Sequence, residues 1–153
     1  MKKILLTGMV ITLVLFLGCV DYASDTKVNI KNESSYDLRL TFIRNVQLAN
    51  HDPEYWKPFD IDIEKHSAFS FNIFGGLGSA IAPNPNWEYA RIIFYDLYDN
   101  ETILKKMEIN DFDFINQNHI QINNPFQLIE TKDHGYYQNA VYFFGITDDL
   151  LEQ

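Results

Sequence analysis

The sequence predicts an all-β fold: an antiparallel β-sandwich or barrel of about seven to nine strands, closed by a short C-terminal helical turn. Three observations predict it. From Lys27 onward apolar residues recur with a period of two, the spacing of strands with one buried face. Asn, Asp, Gly, Ser and Pro punctuate the chain between these runs, as turns require. No stretch carries the 3.6-residue period of a long amphipathic helix, and no segment repeats.

The elements follow in order. Val28 and Ile30 alternate with Asn29 and Lys31, and Tyr36, Leu38, Leu40 and Phe42 alternate with Asp37, Arg39 and Thr41. A turn over 32–35 joins the two runs into an expected opening hairpin. Phe59, Ile61 and Ile63 alternate with Asp60, Asp62 and Glu64, then Phe69, Phe71 and Ile73 with Ser70 and Asn72. These predict a second hairpin around Lys65 and His66. Residues 89–95 are apolar on both faces apart from Arg91, which marks a central strand. It turns through Asp99, Asn100 and Glu101 into 103–109, a third hairpin. Further strands are expected around Ile120 and Ile122, over 126–131 and over 137–146, and Thr147 is placed to cap the closing helical turn.

A chain of 153 residues has room for one core. Its hydrophobic share of 46%, with 15% aromatic residues, supplies enough apolar surface to offset the entropy of ordering it. One cysteine in the whole sequence excludes an intramolecular disulfide and a cysteine-based zinc site.

The first residues have the architecture of an export signal. Lys2 and Lys3 precede an almost unbroken apolar run over 4–17, closed by Gly18 and Cys19. As a helix that run spans only about 21 Å, short of a hydrocarbon core of about 30 Å. The segment Phe16, Leu17, Gly18, Cys19 resembles the lipobox of bacterial lipoproteins. Gly18 and Cys19 match it, while Leu17 and Phe16 stand where a small or branched residue and a Leu are usual. The resemblance implies cleavage before Cys19 and acylation of that cysteine, palmitate included. It divides the chain into a signal peptide over 1–18, an acylated cysteine with a short tether over 19–25, and a single β-sandwich domain over 26–153. It also implies a protein held in the bacterial cell envelope by acyl chains, with Val20 after the cysteine favouring the outer membrane over the inner one. The remainder resembles small lipoproteins that carry a β-sandwich domain.

Removing Lys2 and Lys3 from the 12 basic residues leaves 10 against 21 acidic ones, a net charge of −11. Such a surface repels polyanions, so nucleic acid is not an expected partner. Two stretches, 45–58 and 75–87, are long for simple turns and hold both tryptophans of the protein, Trp56 and Trp87, with Tyr55 beside the first. Long loops on a rigid β scaffold commonly carry binding, and a flat indole suits a sugar face or a peptide segment. Tyr55, Trp56 and Trp87 are therefore the candidate binding residues for an envelope or host protein or glycan. The competing reading has the two indoles plugging the ends of the sandwich.

Other chemistry is weakly supported. Gly75, Gly76 and Gly78 are not followed by the Lys-Ser or Lys-Thr pair of a phosphate loop, and Ser79 lacks the glycines of a nucleophile elbow. Asp60, Asp62 and Glu64 alternate along a strand at intervals of nearly 7 Å, a solvated face and not a calcium cage. The turn over 96–101, with Asp96, Asp99 and Glu101, could hold one calcium ion, with Asp111 and Asp113 beyond it. His51, His66, His119 and His134 show no metal-ligand spacing. The expectation is a non-catalytic protein with no catalytic residue, no metal and no cofactor. An acidic inhibitor or structural partner of a basic envelope enzyme is the alternative, because an acidic lid suits a basic cleft, and a hydrolase is the third reading.

Overall fold

The computed structural model describes residues 23–45, 57–77, 82–99, 102–113, 118–133 and 137–152. Two four-stranded sheets pack face to face, as the alternation predicts. The first has the order β4-β1-β10-β9, built from β1 (Ala23–Asn32), β4 (Ala68–Leu77), β9 (Gln127–Asp133) and β10 (Tyr137–Ile146). The second has the order β3-β2-β5-β6, built from β2 (Leu38–Arg44), β3 (Phe59–Ile63), β5 (Tyr89–Asp96) and β6 (Ile103–Glu108). A small hairpin of β7 (Asn110–Asp113) and β8 (Asn118–Gln121) stands beside them. Two short helices complete the described residues, α1 (Pro85–Glu88) and α2 (Asp148–Glu152).

The core is formed by the residues that the period of two places inward. Val28 and Ile30 of β1, Leu38, Leu40 and Phe42 of β2, Ile61 and Ile63 of β3, and Ile92 and Phe94 of β5 are all buried. Aromatic rings join the sheets: Phe42 lies 5.8 Å from Phe71 of β4 in an edge contact, and Phe94 lies 6.3 Å from Phe144 of β10. These offset geometries suit the charge distribution of aromatic rings and add to the area they remove from water.

Two of the three expected hairpins are not hairpins. β1 and β2 belong to different sheets, and so do β3 and β4, so the segments 33–37 and 64–67 arch from one sheet to the other. Both inner faces of a sandwich show the same alternation, and sequence alone does not distinguish an arch from a hairpin. Asn32 holds the first arch. Its buried amide donates to the carbonyls of Tyr36 (2.8 Å), Ile63 (3.2 Å) and Glu64 (3.3 Å), and its Oδ1 accepts from the N–H of Ser34. His66 turns the second arch with φ of 60°, the left-handed region. β5 and β6 do form the third hairpin, and β5 is central, between β2 and β6.

The sandwich is not wholly antiparallel. β1 and β10 run parallel over ten residue pairs, from Ala23 beside Tyr137 to Asn32 beside Ile146. β1 begins at Ala23, four residues ahead of the alternation that starts at Lys27, because Ala23 and Asp25 still pair with β4. The expected run 103–109 ends as a strand at Glu108, where β7 takes over. Thr147 caps α2 as expected, its hydroxyl accepting from the N–H of Leu150 at 3.3 Å.

Asp60, Asp62 and Glu64 are exposed, as a solvated strand face requires. Arg39 donates to Asp62 through two nitrogens at 2.7 and 2.8 Å across the β2–β3 pair. That hydrogen bond holds the Asp62 carboxyl below its ordinary range and raises Arg39. The linkage is small because both groups face water. Its sign is fixed: the contribution is present above the unfolded carboxyl's titration and is lost as pH falls through the folded one. An NMR titration of Asp62 should show a depressed midpoint that returns toward the ordinary range in Arg39→Ala.

Candidate functional site

Tyr55 and Trp56 lie outside the described residues, as do Cys19, His51 and His134. Trp87 is described, and it does not plug the sandwich: its side chain is 58% exposed. α1 positions it. Asn84 caps this single turn by accepting from the N–H of Asn86 at 3.0 Å, Pro85 presets the backbone, and Trp87 donates its N–H to the Asn84 carbonyl. Asn86 points inward, donating to the Phe126 carbonyl at 3.2 Å, which leaves Trp87 facing outward.

The segment 82–88 is fastened to the first sheet. Thr26 donates its hydroxyl to the Pro83 carbonyl at 2.5 Å, and the Ala82 N–H donates to Gln138 Oε1 at 2.9 Å. Between this segment and β9–β10 runs a groove of about 460 Å³, walled by Pro83, Trp87 and Glu88 on one side and by Leu128, Thr131, Gln138, Ala140 and Tyr142 on the other. It exists because every residue of β9 is exposed, so the inner face of that edge strand is left open. Leu128 pairs with Tyr142 and Thr131 with Ala140, which places all four on that face. Burial raises the Tyr142 hydroxyl above the usual tyrosine range, so it is a neutral donor at physiological pH.

Sequence reasoning found Trp87 and missed the opposite wall. The available signal was the run Gln127–Asp133, where Leu128 and Ile129 sit together amid polar residues with no clean alternation. The structure explains the break: the register of β9 against β10 shifts between Val141 and Tyr142, leaving Ile129 as the extra residue of a bulge. A bulge together with Glu130 and Lys132, paired at 3.0 Å, discourages another strand from adding to this edge.

A second hollow, about 340 Å³, lies on the other flank between Arg44, Phe59, Phe71, Ile73, Phe74 and Tyr89. Phe74 is 78% exposed. It follows Ile73 directly and so breaks the alternation of its strand.

Charge is divided between the two ends of the sandwich. At the end where β1 finishes are Glu33, Asp37, Glu64, Asp96, Asp99, Asp148, Asp149 and Glu152, on the arches, the β5–β6 turn and α2. Several of them build their turns. Asp37 accepts from the Lys65 N–H, Asp96 from the N–H groups of Tyr98 and Asp99, and Asp148 from the N–H and hydroxyl of Ser35. Asp96 and Asp99 are thus engaged within the 96–101 turn, whose Glu101 lies outside the described residues. No group of three His, Cys, Asp or Glu suited to a metal occurs among the described residues. The half where β1 begins mixes both signs among the described residues, Asp25, Glu88, Glu108, Asp111, Asp113, Glu130 and Asp133 with Lys27, Arg44, Lys57, Arg91 and Lys132.

Comparison of the chain with protein-family models, with curated proteins and with solved structures finds no match.

Proposed function

We propose that this is a non-catalytic, lipid-anchored binding module of the bacterial cell envelope, held by acyl chains on Cys19 and engaging a protein or glycan partner through the groove beneath Trp87. The observation that carries the reading is the exposed indole above an open stretch of sheet. An aromatic platform flanked by Thr131, Gln138 and Tyr142 offers an apolar face and polar groups together, the combination that fixes a ligand's orientation. The anchor rests on the lipobox resemblance. Intact mass of detergent-extracted protein should show loss of 1–18 and the added mass of acyl chains at Cys19; an unmodified cysteine with the leader gone rejects it.

Crosslinking in intact cells, followed by capture of the protein, should recover one dominant partner. Trp87→Ala should reduce that recovery by about tenfold or more, as truncating an aromatic anchor does. Equal recovery from the variant rejects the groove.

The acidic end of the sandwich favours a second reading, an acidic partner of a basic envelope enzyme. Salt separates the two. Capture that weakens steeply with ionic strength and ignores Trp87→Ala belongs to the acidic end, because screened charge pairs lose strength within a few ångströms at high salt.

A further inference from the structure

Among the described residues, Phe74 and Trp87 expose their rings in the half where β1 begins, which is also the half nearest Cys19 in the chain, while Tyr98 is exposed at the other end. Val20, Asp21 and Tyr22 alone separate that cysteine from Ala23, so the linking chain reaches at most about 14 Å. β1 itself, with ten residues, is about 33 Å long. A domain on so short a tether cannot turn its far end to the membrane. Phe74 pairs with Asp25, two residues from the start of β1, and Trp87 rises from the segment fastened to Thr26 and Gln138 on the same half. Among the described residues this half sets basic side chains beside its acidic ones, whereas the far end is more strongly acidic and is repelled by anionic headgroups.

We propose that this end rests on the bilayer, with Phe74 and Trp87 in its interfacial layer and the acidic end facing away. Tryptophan and other exposed aromatic rings favour that layer, where one side of the ring is apolar and the other wet. The orientation rests on the Cys19 anchor proposed above. It also narrows the partner: Trp87 walls the groove, so what enters it is met at the membrane surface.

The test uses the full lipidated protein in phosphatidylcholine vesicles, with and without bromine near the head of the acyl chains. Trp56→Phe leaves Trp87 as the sole indole. Trp56→Phe with Trp87→Phe and Tyr98→Trp moves the sole indole to the acidic end, where Tyr98 is 81% exposed. Brominated lipid should at least halve the emission of Trp87 and leave the indole at position 98 unchanged. Unquenched Trp87, or equal quenching at both positions, overturns the orientation. Intact mass on the same samples tells the failures apart: acylated protein with unquenched Trp87 removes only the orientation, and protein without acyl chains removes the anchor and the orientation with it.

Discussion

Phe42→Ala should lower the stability of the domain by about 3–5 kcal/mol, read as a shift in the urea midpoint at unchanged slope. Phe42 is wholly buried and lies inside the aromatic core. Its ring stacks on Phe59 at 4.9 Å and meets Tyr89 at 5.1 Å and Phe71 at 5.8 Å in edge contacts. The contacts come from β3, β5 and β4, so the cavity left by alanine is bounded by both sheets and cannot close by moving one strand. Phe74→Ala is the comparison. With that ring mostly in water, its loss should change stability by no more than about 0.5 kcal/mol.

Asn32→Ala should cost about 2–3 kcal/mol although it removes only a small side chain. The loss comes from what remains behind: the Ile63 carbonyl loses the amide donor, the Tyr36 and Glu64 carbonyls each lose one of their donors, and the Ser34 N–H loses its Oδ1 acceptor. Asn32→Asp should be worse at neutral pH. It keeps the shape but turns lone pairs toward three carbonyls and puts a charge where the side chain is wholly buried. The penalty should shrink as pH falls, because a protonated carboxyl regains one donor. A denaturation series against pH, with Asn32→Ala as the flat reference, checks the sign.

The alternation was legible wherever a strand buries one face. β3 and β10 stand where the period of two put them, and the reading of 89–95 as central holds because both its faces are apolar. The pairing was not legible. Inward residues of β1 and β2 obey the same pattern whether the strands lie side by side or face to face, and the arch is decided by Asn32, whose partners at Ile63 and Glu64 are about thirty residues away. The parallel neighbour of β1 is more distant still. For the candidate site, an indole in a Pro-Asn segment was visible in the sequence, but the wall facing it was not. That wall depends on β9 being an edge strand left uncovered, a property of strand order and not of residue type.

The parallel pairing of β1 with β10 sets the order in which the domain can be completed. β10 lies between β1 and β9, so the first sheet has a gap at its centre until the last strand arrives. β9 has no other described neighbour, and β1 has only β4. A chain delivered from its N-terminus onward therefore cannot close stepwise. It stays open until residues 137–146 are present, and then gains its central strand in one late, long-range event. A chain that stops short of Tyr137 leaves the first sheet in two pieces, β4 with β1 and β9 alone, each with an unpaired edge, while the strands of the second sheet are all present.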